Sequence, residues 1–168
     1  LMSRDLRNQI LVGDVRQRLA DVGEGTVDCV ITSPPYFQLR NYGRAEQIGL
    51  EASVEQWTES LRAVLNDVGR VLKPSGSVWL NLGDSYSSHA SAGAPPKSLL
   101  LGPERLGLVL LSDGWLVRNK IVWAKSNPMP SSVRDRLSST WEVIYLLTRT
   151  PSYFFDLDAV RVPHTSRQ

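Results

Sequence analysis

The run Val27-Asp28-Cys29-Val30-Ile31 stops against Thr32-Ser33-Pro34-Pro35-Tyr36, and this junction limits the possible folds more than any other stretch. The run is short, apolar and rich in β-branched residues, so it reads as a buried strand. Proline has a fixed φ and no N–H, so the strand cannot continue through Pro34-Pro35. Strand ends are where ligands bind in open α/β sheets. Similar runs predict strands over 9–12, 77–82, 116–123, 141–147 and 153–155. Val54, Trp57, Leu61, Val64, Val68 and Val71 recur every three or four residues, predicting a helix over 53–72. Ser53 with Gln56 forms a capping box, and Lys73-Pro74-Ser75-Gly76 reads as the helix terminator. Shorter helices are predicted over 15–20 and 103–112. This alternation implies an α/β fold, with a mostly parallel sheet covered by helices on both faces. The last three strands follow one another without helices, so they are expected to pair antiparallel as an edge hairpin.

With 168 residues, 42% hydrophobic and 21% charged, the chain suits a single globular domain spanning 1–168. Nineteen basic and seventeen acidic residues give a net charge of +2, which permits a nucleic-acid partner without arguing for one. Cys29 is the lone cysteine, so no disulfide framework exists and a reducing, cytoplasmic setting is expected. His89 and His164 are far apart and lack ligand-like neighbours, so no metal site is expected. No apolar run approaches a membrane span, and no signal peptide is visible. Leu1 stands ahead of Met2, which reads as a trimmed or non-standard start. There are no internal repeats.

The Ser33-Pro34-Pro35-Tyr36 corner combines a hydroxyl, rigidly held carbonyls and an aromatic ring. An amino group on a nucleobase is a poor nucleophile because its lone pair is delocalised into the ring. Acceptors that bond both N–H groups draw the nitrogen toward tetrahedral geometry and free the lone pair. The two prolines are expected to hold their carbonyls outward, with Ser33 adding an acceptor and Tyr36 stacking on a base turned out of its duplex. The alternative is a plain turn, in which Ser33 only caps the prolines.

The chain resembles the S-adenosyl-L-methionine (SAM)-dependent DNA amino-methyltransferases, in the class whose catalytic motif precedes the cofactor motif. Beside Ser33-Pro34-Pro35-Tyr36, the matching segments include Gln9-Ile10-Leu11-Val12-Gly13-Asp14 and Pro96-Lys97-Ser98-Leu99-Leu100. Asp113-Gly114-Trp115 and Ile121-Val122-Trp123-Ala124-Lys125 continue the match. The most distinctive is Asn127-Pro128-Met129-Pro130-Ser131-Ser132-Val133-Arg134-Asp135-Arg136. Trp141-Glu142-Val143-Ile144-Tyr145-Leu146-Leu147 and Tyr153-Phe154-Phe155-Asp156 complete it. The resemblance implies a Rossmann-like methyltransferase fold in a prokaryotic or phage-encoded protein, with SAM as cofactor and double-stranded DNA, its target base flipped, as partner.

It also implies roles. Ser33, Pro34, Pro35 and Tyr36 would be catalytic. Asp14 and Ser33 would contact the cofactor, although Asp14 suits a helix N-cap equally well. Arg40, Asn41 and Tyr42, in the loop over 37–52, and Lys125, Asn127, Arg134 and Arg136 would contact DNA. Trp115, Trp123 and Trp141 read as core or edge-strand packing, and Glu142 receives no role. The loops over 37–52 and 83–101 are expected to be mobile without DNA. The family's Phe-x-Gly-x-Gly cofactor turn and its target-recognition segment are missing, and Gly23-Glu24-Gly25 reads as an ordinary turn. The fold is therefore expected to be incomplete, with SAM binding weak unless a missing portion or a second chain supplies the turn. Serine at the first motif position favours cytosine N4 as target. Adenine N6, an RNA or protein-glutamine substrate, and a non-catalytic remnant are the rival readings.

Overall fold

The computed structural model describes residues 6–163, so Leu1, Met2 and His164 lie outside the described residues. In chain order the elements are α1 (Val15–Arg18), β1 (Val27–Thr32), α2 (Val54–Val71), β2 (Leu72–Leu82), α3 (Gly102–Ser112), β3 (Leu116–Ala124) and β4 (Trp141–Thr148). Short 3-10 turns occupy Leu19–Asp21, Ala90–Ala92 and Asp158–Val160.

Helix α2 follows its sequence pattern closely. The Ser53 side chain accepts from the Gln56 N–H, and the Gln56 side chain accepts from the Ala52 N–H. Val54, Trp57, Leu61, Leu65, Val68 and Val71 are buried on one stripe. Lys73-Pro74-Ser75-Gly76 does not form a separate terminator, because β2 begins directly at Leu72. Val27 pairs with Leu72 and Cys29 with Ser77, so residues 73–76 bulge out of the ladder. That bulge absorbs Pro74, which has no N–H to give a strand partner.

The sheet order is β1-β2-β4-β3. β1 and β2 run parallel, while β4 runs antiparallel to both β2 and β3. The α/β class and the antiparallel hairpin stand, but among the described residues only one of three strand pairs is parallel. Residues 9–12 are not a strand: Ile10 is 91% and Val12 85% exposed, and none of the described strands pairs with them. Residues 153–155 do not form one either. The Thr150 hydroxyl lies 2.9 Å from the Pro74 carbonyl and 2.8 Å from that of Ser152, turning the chain back toward the β2 bulge. There the Phe154 N–H donates to the Ser75 carbonyl.

Both long helices cover the same face. Trp57, Leu61 and Leu65 of α2 and Leu106 and Leu110 of α3 pack with Val78, Leu80 and Leu82 of β2 and with Val143, Tyr145 and Leu147 of β4. Each such side chain contributes about 1.5–3 kcal/mol on leaving water. Helices on both faces were expected, but no described helix of more than one turn covers the second. By alternation and pairing, that face carries Cys29, Ile31, Ser77, Trp79, Asn81, Glu142, Ile144 and Trp123. Phe154, Phe155 and Val160 share one hollow with Cys29, Ser77 and Trp79 there.

The two long loops have more internal order than their composition suggests. In residues 83–101, the Ser87 N–H donates to the Ser98 carbonyl, Lys97 to Ser87 and Leu100 to Ser85. Arg105 then ties the Leu100 and Gly93 carbonyls and the Glu55 carboxylate together. In residues 37–52, the Gln38 N–H donates to Gly49, and the Gln47 side chain bridges Arg40 and Tyr42. No described helix is long and apolar enough to cross a membrane. No described cluster of His, Cys, Asp and Glu could hold a metal ion.

Candidate active site

β1 delivers Thr32 to the end of the sheet, and the chain turns at once through Ser33-Pro34-Pro35-Tyr36. Ser33 is exposed there, and the Pro34 carbonyl accepts no hydrogen bond among the described residues. The Pro35 carbonyl is different. It accepts the Trp57 indole N–H at 2.9 Å, which corrects the expectation that both proline carbonyls face outward. Trp57 is fully buried under the turn, and its N–H needs a partner once away from water. The same bond fastens the turn to α2.

Tyr36 is half-buried and anchored by its hydroxyl. That oxygen lies 2.8 Å from Asn81 Oδ1 and 2.9 Å from Glu142 Oε2. Ser33 Oγ sits 3.2 Å from both the Tyr36 hydroxyl and Asn81 Oδ1. The ring packs against the backbone at Gly83, where a Cβ would stand only 2.6 Å from Tyr36 Cε2. Burial pushes the Tyr36 phenol up to about 12; the Ser33 bond opposes this, and the Glu142 carboxylate adds to it. Glu142 shares its other oxygen with the Lys125 ammonium. Burial acts to raise the Glu142 carboxyl. The Lys125 and Tyr36 bonds outweigh it, and the carboxyl stays below its usual range.

The site therefore gathers the C-terminal ends of β1, β2 and β3 and the start of β4. Asn81, Glu142, Gly83 and Trp57 belong to it, although the sequence reading gave none of them a role there. A charged residue inside the apolar β4 run was the one signal available, since such residues are seldom buried without a partner.

The other candidates fall in several places. Asp14 caps α1: its carboxylate accepts from the Arg16 N–H at 2.9 Å and pairs with the Arg16 guanidinium at 2.6 Å. Those bonds to Arg16 hold its carboxyl at about 2. Arg40, Asn41 and Tyr42 are exposed, with the Asn41 side chain accepting from the Gly43 N–H. Asn127 and Arg134 are exposed as well. Lys125 is engaged with Glu142. Arg136 lies 3.6 Å from the centre of the Tyr86 ring, beside a Lys97–Asp135 ion pair of 2.8 Å. Of these, Lys125 and Arg136 are held by an ion pair and a ring contact, while the side chains of Arg40, Tyr42, Asn127 and Arg134 are exposed. Trp115 is buried as expected, with Arg149 over its ring. Trp123 and Trp141 are 54% and 49% exposed, although both lie within the paired β3–β4 ladder.

A family model described as DNA methylase matches residues 27–168. The type II methyltransferase M.SfiI of Streptomyces fimbriatus is 46% identical over 164 residues, covering 92% of this chain and 39% of that protein. M.SmaI of Serratia marcescens is 37% identical over 176 residues, covering 92% of this chain and 60% of that protein. The chain thus spans less than two thirds of either relative. Among solved structures, the PvuII DNA methyltransferase (cytosine-N4-specific) shares the fold with a TM-score of 0.70 at 20% identity, covering 89% of this chain and 51% of that one. A Thermus thermophilus protein solved with S-adenosyl-L-methionine matches with a TM-score of 0.64 at 24% identity, covering 90% and 59%.

Proposed function

Because the chain belongs to the DNA methylase family, we propose that it is the catalytic portion of a type II DNA methyltransferase that methylates the exocyclic N4 amino group of cytosine in duplex DNA. The observation that carries this reading is the pair of oxygens left open at the end of β1. Ser33 is exposed, and the Pro34 carbonyl is unclaimed by any described group. An amino group held by both would be drawn toward tetrahedral geometry. Tyr36, braced at its hydroxyl, would form the wall against which the flipped base rests.

S-adenosyl-L-methionine would supply the electrophilic methyl group. The described residues fit the base better than they fit this cofactor. The Asp14 carboxylate is already committed to Arg16, and no glycine-rich turn follows a described strand. Ser33 alone of the expected cofactor residues stands at the strand end. We therefore assign the methionine end of the cofactor to residues on a further portion or on a second chain. Isothermal calorimetry of this chain with the cofactor should give weak or no binding.

Adenine N6 is the second reading, since it offers the same pair of N–H donors to the same two oxygens. The test is expression in a methylation-free host together with the cofactor-binding portion of the S. fimbriatus relative. Mass spectrometry of the digested DNA should then show N4-methylcytosine. N6-methyladenine would establish the second reading. Neither base, with Tyr36→Ala indistinguishable from the parent, would overturn both.

A further inference from the structure

We propose that Asn81 and Glu142 are positioning residues that accept hydrogen bonds from the Ser33 and Tyr36 hydroxyls, so that Ser33 meets the target base only as a lone-pair acceptor. This rests on the methyl-transfer reading above. The orientation of Asn81 is set from its far side: Nδ2 donates to the Val143 carbonyl at 3.2 Å, so Oδ1 faces the turn. Oδ1 can only accept, and both hydroxyls lie within reach of it. Glu142 Oε2 is a second pure acceptor, 2.9 Å from the Tyr36 hydroxyl. The Lys125 ammonium on the other carboxylate oxygen keeps Glu142 charged.

Each hydroxyl has one hydrogen. The charged acceptor takes the stronger bond, so the Tyr36 hydrogen goes to Glu142. The Ser33 hydrogen then has two inward destinations, Asn81 Oδ1 or the Tyr36 oxygen, each at 3.2 Å. Either choice turns it away from the exposed side of Ser33. What remains outward is lone-pair density, which accepts an N–H from an amino base. A keto oxygen at the same place would meet lone pairs with lone pairs. The network therefore favours an amino base over a keto base before any chemistry occurs.

The test uses the chain complemented with the relative's cofactor-binding portion. Asn81→Leu and Glu142→Gln should each lower kcat about tenfold or more, the usual scale for a lost bond to a polar or charged partner, and leave KM for DNA unchanged. In a Ser33→Ala background Asn81→Leu should cost nothing further, and in a Tyr36→Phe background the same should hold for Glu142→Gln. The parent should also bind a duplex with cytosine at the target more tightly than one with uracil, and Asn81→Leu should narrow that ratio. Additive losses in the double variants, or an unchanged ratio, would overturn the proposal while leaving methyl transfer intact. If the parent methylates nothing, the functional reading fails. The network is then decided on this chain alone by ultraviolet titration. Glu142→Gln should lower the high-pH tyrosine phase that Tyr36→Phe removes, and an unmoved phase would reject the link.

Discussion

Gly83 leaves no room for a side chain, because an added Cβ would stand 2.6 Å from Tyr36 Cε2 and 2.8 Å from Cδ2. Gly83→Ala must displace the Tyr36 ring or the end of β2. The expected cost is about 1–3 kcal/mol of stability, typical of overpacking, with a disproportionate loss of methyl transfer. Thermal melting and turnover measured side by side check this. Tyr36 also carries a pH signature. Its phenol is raised from 10.0 to about 12 in the folded chain, so the protonated form is favoured by folding. The sign follows: this contribution is complete below about pH 10 and is lost as pH rises through about 12. Alkaline unfolding of Tyr36→Phe, compared with the parent, should lack that component. Of the site, only the tetrapeptide was legible in the sequence. Glu142 was visible as a charge in an apolar run, but its partners come from residues 17 and 106 positions away. No local pattern announces such distances.

Helix α2 acts as a buttress for the Ser33–Tyr36 turn through one bond, from the Trp57 indole to the Pro35 carbonyl. Trp57→Phe keeps most of the buried ring but leaves that carbonyl without its donor. The expected cost is about 1–3 kcal/mol, and chemical denaturation measures it. One turn before Trp57, Ser53→Ala removes a cap worth about 1 kcal/mol. The helix was legible because its stripe is set by residues three and four apart. Residues 9–12 were misread because a strand is defined by its neighbour, and an apolar run alone does not supply one. The hydrogen bonds of residues 83–101 were hidden for the opposite reason. Their Ser, Ala, Gly and Pro content suggests mobility, whereas the order comes from Arg105 reaching back from α3. Hydrogen exchange should find the Ser87, Lys97 and Leu100 amides protected, and Arg105→Ala should release them.

The molecule as a whole is asymmetric: its helices bury one side of the sheet and leave the other with exposed apolar groups. Ile31 is 83% exposed, Trp123 54%, and the Cys29 thiol is accessible. A maleimide should therefore label Cys29 in the folded chain without denaturant. Supplying the cofactor-binding portion of a relative should slow that labelling if it covers this face, and mass spectrometry reads the modification directly. β1 is also the outermost strand, its only described partner being β2. Among the described residues no strand pairs with its outer row of amides and carbonyls, which is a template for a second copy, blunted there by Asp28 and the Lys73 ammonium paired with it. Stocks of this chain should therefore cloud as they are concentrated, so purification calls for dilute handling.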